Sequence, residues 1–244
     1  MGSSRESKRV PIMRIDPAFD FHTEIPPRAD PDKYSKTLRQ YHKELWSKPL
    51  PTGGNFALSD AVPGKYLFHQ SSLGEFSLSS DTIAHSYVNV KRMQPVVGLL
   101  SDERKETILR KLHTIGSYTV FPSNRIDQKP TINGARGLNA RIFDRFDLTL
   151  ECVRRHYIGA ESPLSEVFNR YAAFFTLFGD FRGYVEFFLL HDLVDPGFST
   201  VKYFLPFDDS FPVGPLPESV DAYNVYIDRT IEFVGARGLR MSQG

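Results

Sequence analysis

Apolar residues spaced for helices dominate the chain, with short alternating runs between them. Tyr34, Leu38, Tyr41 and Leu45 recur at steps of four, three and four, which places them on one helical face. Asp30-Pro31 starts that helix, since an aspartate side chain accepts a free backbone N–H and proline fits the first helical position. Pro49 ends it, because the residue before a proline is driven out of the α region. Lys65–His69 and Glu75–Leu78 read as two strands of a hairpin around Ser71-Ser72-Leu73-Gly74. Ser79-Ser80-Asp81 then predicts a cap and a short helical segment to about Lys91. Ser101 caps a further helix carrying Ile108, Leu109 and Leu112, with Asp102 and Glu103 in the turn where the helix dipole favours them.

Tyr118–Phe121 is a strand closed by Pro122, and 122–140 reads as a long loop. Phe146, Leu150, Val153 and Tyr157 then mark a helix over about 142–158. Ser162-Pro163 opens another helix, stopped by Gly179. Asp180 caps a following one that is apolar nearly all round and so is central. Residues 168–188 hold nine Phe or Tyr, an aromatic stripe read as core rather than as a cofactor site. Val201–Leu205 is predicted as a strand, 206–217 as a proline-rich connection, and 219–234 as a last helix ended by Gly235. The pattern contains no repeated strand–helix–strand unit. The expected fold is therefore α+β, a single domain over 14–240 with six or seven helices and a small, mainly antiparallel sheet from 65–69, 75–78, 117–121 and 201–205. Residues 1–13 are expected to be a flexible lead, with Met13 a candidate natural start.

Composition narrows the function classes. The net charge of +1 provides no bulk field toward DNA or an anionic membrane, so nucleic acid is disfavoured as a partner. No apolar run approaches the roughly 20 residues of a membrane span. The first residues lack a secretory h-region, and the cytoplasm is the expected compartment. Cys152 is the lone cysteine, which excludes an internal disulfide and zinc sites built on paired cysteines.

The stretch from Asn124 to Arg155 holds six arginines against one lysine, interleaved with Asp127, Asp144, Asp147 and Glu151. Guanidinium groups oriented by carboxylates keep N–H donors that grip phosphate bidentately. Glycines in Asn133-Gly134-Ala135-Arg136-Gly137 would let backbone approach such an anion. Arg125, Asn133, Arg136, Arg145, Asp147, Glu151, Arg154 and Arg155 are thus the candidate ligand-binding set, for a nucleotide or phosphorylated small molecule. The bland alternative is a solvated helix face laced with ion pairs, on a protein–protein interaction module.

Weaker constellations are a magnesium site from Asp208-Asp209 with Asp192 or Asp195, and a nucleophile story from His69, Ser71 and Asp81. The order His69, Tyr118, Glu186 matches that of ADP-ribosyltransferases, which grip NAD with histidine and tyrosine. His113, His156 and His191 have no ligand-like spacing and are read as structural. No residue is assigned a catalytic role and no cofactor is identified.

Five blocks carry a family resemblance. They are Tyr41–Pro51, Gly74–Asp81, Thr131–Gly137, Asp144–Arg155 and Phe181–Leu190. In this order they resemble an uncharacterised bacterial family, a domain of unknown function covering roughly residues 16–240. The resemblance implies that the domain is nearly the whole chain. It implies no chemistry.

Overall fold

In the computed structural model, which describes residues 14–27 and 29–243, the sheet grows from the expected hairpin. β1 (Leu67–Ser71) turns through Ser72-Leu73 into β2 (Gly74–Thr82), with Gly74 at φ +135°, a conformation open to glycine. The far half of β2 pairs antiparallel with β3 (Tyr118–Pro122), giving the order β1-β2-β3. His69 lies opposite Phe76, and Thr82 lies opposite Tyr118 at the other end.

Two expectations about strands fail here. The segment after Leu78 is not helical: β2 runs on to Thr82, with Ser79 and Ser80 paired to Phe121 and Val120. The Asp81 carboxylate that resembles a helix cap instead meets Arg136. Residues 201–205 form no strand beyond one bridge between Val201 and Val194. Phe204 gives its backbone N–H to the Asp147 carboxylate, which takes the place of a ladder partner.

Ten α-helices lie among the described residues, more than expected because several stop after one or two turns. They are α1 (Pro31–Tyr34), α2 (Lys36–Trp46), α3 (Gln94–Val97), α4 (Asp102–Leu112) and α5 (Ile132–Leu138), then α6 (Phe146–Tyr157), α7 (Ser165–Arg170), α8 (Ala172–Thr176), α9 (Phe181–Phe187) and α10 (Val220–Met241). Asp30 caps α1 as its sequence indicates, but Ser35 breaks the run and caps α2 through Leu38 N–H at 3.0 Å. α5 falls inside the supposed loop, capped by Thr131. α10 passes through Gly235 and Gly238 without stopping. The chain approaches α10 closely at Gly116, where a Cβ would lie 2.1 Å from the Val234 carbonyl oxygen, and Gly238 faces it, a Cβ there lying 3.9 Å from Gly116 Cα.

All nine aromatics of 168–188 are buried, and they pack in edge-to-face and tilted pairs against one another and against Phe56, with Phe187 stacked on Trp46. One cation sits deep beside this core. Arg237 of α10 is fully buried and donates to the carbonyls of Gly116, Tyr118 and Phe188, tying α10 to the start of β3 and to the end of α9. Burial lowers its pKa to about 9. No helix among the described residues is long and apolar enough to cross a membrane. The expected lead and the candidate start at Met13 lie outside the described residues.

Candidate functional site

The arginines do not converge on a concave surface. Arg145 is buried, pairs with buried Asp147 and donates to the Pro215 carbonyl at 2.8 Å. Glu151, also buried, is held by Arg154 through two bonds of 2.8 Å and by Arg155 at 2.9 Å. Arg155 reaches on to Asp209. This face of α6 is therefore neither a poised anion site nor a solvated surface. It is the seat of the 203–215 segment, which presents Phe204 N–H, Asp209 and the Pro215 carbonyl to it. The carboxylates went inside because each finds a guanidinium there. Arg125 is exposed and makes no side-chain hydrogen bond to a described residue.

The weaker constellations separate as well. His69 and Tyr118 sit at opposite ends of the sheet, six β2 residues apart, or roughly 20 Å at the usual rise. Glu186 is on α9, exposed and paired with Arg182. His69 points to the Ala57 carbonyl between Phe56 and Phe76, and Asp81 is bound to Arg136, so no triad with Ser71 exists. Asp192 pairs with Arg240, Asp195 holds its own turn, Asp208 bonds Ser210 and Asp209 meets Arg155, so each aspartate is used locally. Cys152 is buried, and burial raises its thiol to about 12, as for an inert core cysteine.

What the structure does bring together is a set of aspartates. Asp30 and Asp32 from the start of α1, Asp81 from β2 and Asp144 from the turn before α6 line one cleft of about 210 Å³, with His85 and Asn133 beside them. Of the sequence-predicted set, Asn133 lines this cleft and Arg136 lies directly behind it. Arg136 is fully buried. It donates to Asp81, to Thr149 Oγ1 at 3.0 Å and to the Asp144 carbonyl at 3.2 Å, and so braces β2, α6 and the turn against one another.

The turn itself is strained. Phe143 and Asp144 both have positive φ, +47° and +61°. Such conformations cost of order 1–3 kcal/mol each and persist where the surroundings over-determine them. The surroundings here are clear: Tyr87 donates its hydroxyl to the Phe143 carbonyl at 2.7 Å. Gly137 also leaves room for the Asp144 carboxylate, whose oxygen would lie 3.1 Å from a Cβ at that position. The turn thereby directs Asp144 toward His85, with 4.0 Å between Oδ2 and Nε2.

Charge crowding and partial burial set the protonation of these groups. Asp32 accepts the Ser80 N–H at 3.1 Å, yet burial first and the neighbouring Asp30 second lift its carboxyl to about 7. In Asp81 burial outweighs the pull of Arg136, and with Asp144 adding repulsion the carboxyl rises to about 6. Burial lowers the His85 imidazole, keeping it neutral near pH 7, and its Nδ1 is buried without a hydrogen-bond partner. Two carboxyls that change charge near neutrality beside a neutral imidazole can give and take protons.

A second chamber of about 320 Å³ adjoins the first across Pro31, Thr82, His85 and Tyr118, and has His22 and His113 on its far wall. Burial lowers both of these imidazoles, His113 to about 4. Larger cavities exist elsewhere. The one of about 540 Å³ beside α10 holds Arg229, which is engaged with the Tyr203 and Phe204 carbonyls, and Asp192, which is tied to Arg240. Its arginine and Asp192 are already engaged with protein groups, whereas Asp144 of the aspartate cleft has only His85, at 4.0 Å, beside its carboxylate among the described residues.

Asp32 and His85 are absent from the residues singled out by the sequence, and Asp144 enters there only as a carboxylate expected to orient an arginine. Asp30-Pro31-Asp32 has the form of a helix cap, and nothing in the order of residues shows that its second carboxylate faces β2. Among known proteins, no curated protein and no solved structure matches the chain. Residues 15–241 do match a family model, as the five ordered blocks suggest, and the chain belongs to the family of unknown function DUF6994.

Proposed function

We propose that the aspartate cleft binds a small organic cation, an amine or a guanidinium compound, and that Asp32 exchanges a proton with it. One observation carries this reading: four aspartates face a single small cleft that no arginine or lysine among the described residues lines. Burial first raises the Asp32 and Asp81 carboxyls, and the repulsion between carboxylates held together adds to it. A bound cation relieves that repulsion, while a phosphate would add to it. The cleft is smaller than the roughly 300–1,000 Å³ of drug-sized pockets, which suits a compact metabolite. A nucleotide or phosphorylated ligand held by the arginines is the weaker reading, because Arg136, Arg145, Arg154 and Arg155 already donate to protein acceptors.

Titration calorimetry near neutral pH with putrescine, agmatine and arginine, against ATP and inorganic phosphate, tests it. The expected result is binding of at least one amine, weakened tenfold or more by Asp144→Asn, a loss of about 1.4 kcal/mol. Asparagine tolerates the positive φ of that turn, so the fold is kept. Proton exchange by Asp32 makes the heat depend on the ionisation enthalpy of the buffer. Binding of ATP or phosphate with the amines silent, or amine binding unaffected by Asp144→Asn, overturns the proposal.

A further inference from the structure

We propose that Asp20, His22 and His113 bind a divalent transition-metal ion, Zn²⁺ by preference, at the wall of the second chamber. These three residues each offer a ligand atom, and the atoms all lie within 4.8 Å of one another. The Nδ1 atoms of both histidines converge on the same carboxylate oxygen, Asp20 Oδ1, at 3.9 Å for His22 and 3.8 Å for His113. Those separations are too long for hydrogen bonds. They are shorter than the roughly 4.1 Å sum of one Zn–N and one Zn–O bond, so a single ion can bridge each pair.

The frame is built from both sides. Asp20 caps a 3-10 turn (Phe21–Glu24) by accepting the His22 N–H at 2.9 Å. Phe21 is fully buried and donates its backbone N–H to the His113 carbonyl at 3.1 Å, which fixes the turn against the end of α4. The two imidazoles stack face to face, 3.4 Å between centroids and 19° apart, so their in-plane lone pairs run side by side and a turn of the exposed His22 ring is needed to aim both at one ion. No hydrogen bond to a described residue engages either ring, leaving the nitrogens available.

The donor set selects the ion. Two imidazoles and one carboxylate suit Zn²⁺, Fe²⁺, Co²⁺ or Ni²⁺, whereas Mg²⁺ and Ca²⁺ prefer all-oxygen sites. Three protein ligands leave at least one position open, the arrangement of catalytic rather than structural zinc. His22 and His113 line the chamber that also holds His85 and Tyr118, and that chamber adjoins the aspartate cleft. The inference rests on its own residues and does not require the cleft to bind an amine.

The test uses the full chain, stripped with a chelator and dialysed, then titrated with Zn²⁺ and Co²⁺. One ion per chain is expected, with Co²⁺ giving the visible absorption of a low-coordinate nitrogen–oxygen site. His22→Gln and His113→Gln should each weaken Zn²⁺ by more than the roughly 10–100-fold that loss of a supporting contact behind a ligand costs. Asp144→Asn should leave the stoichiometry unchanged. Circular dichroism confirms that each variant is folded, and His22, at the surface, is the safer of the two. No bound Zn²⁺ or Co²⁺ in the stripped protein, or undiminished affinity in folded His22→Gln, overturns the proposal.

Discussion

At Asp32 burial first, and the neighbouring Asp30 second, raise a carboxyl in the folded state, and the consequence is a pH-dependent fold. Its folded-state value of about 7 lies above the ordinary 3.8. Between those two values the folded chain keeps a proton that the unfolded chain releases. The group's contribution is therefore complete below about pH 4, declines as pH rises toward 7, and is gone above it. Asp32→Asn removes this dependence while its amide oxygen still accepts the Ser80 N–H. Calorimetric melting across pH 4.5 to 8 should show the variant more stable than the native chain at pH 8 and close to it at pH 4.5. Parallel melting curves across that window would show that Asp32 titrates normally. The same variant should bind amines less well, as expected where a functional group is held against its own stability.

The element that departs furthest from its expected role is α6. Its charges at i, i+3 and i+4 spacing mark one face in the sequence, but spacing says nothing about which way a face points. The partner segment, 203–215, lies some fifty residues on, and only its arrival turns a charged face into an interior seam. Arg155 links the two sides of that seam, contacting Glu151, Asp209 and the Phe211 ring at 4.8 Å. Arg155→Ala leaves Glu151 paired with Arg154, so the loss should be about 1–2 kcal/mol, or roughly 2–8 °C at this chain length. Limited proteolysis should cut 206–217 faster in the variant, and unchanged cutting would show that the segment is held elsewhere. Local signals were legible where one residue decides the outcome: Asp30, Ser101, Asp180 and Ser219 each cap the helix they precede. α5 was hidden because Gly134 and Gly137 resemble a loop. Gly137 is there to admit the Asp144 carboxylate, a tertiary requirement that no local pattern records.

Across the whole molecule, the near-neutral net charge conceals a strongly acidic cleft, because the balancing arginines lie inside α6's seam and behind Asp81 rather than at the site. The cleft also depends on distant chain. Tyr226 of α10 donates its hydroxyl to the His85 carbonyl across 141 residues, and Tyr223 does the same to Ser86 across 137. Those bonds have a kinetic meaning. Contacts of such high contact order form only after a large loop has closed, so they belong to the late part of folding, after the β1–β2 hairpin and the α7–α9 aromatic cluster. Removing one should speed unfolding and leave the folding rate nearly unchanged. Stopped-flow kinetics of Tyr226→Phe should thus give a φ-value near zero, while a value near one would place α10 in the nucleus. On this order the sheet and the aromatic core exist first as a folded body with no binding cleft, and His85 reaches its place only when the tyrosines of α10 lock down the strand-end segment that carries it.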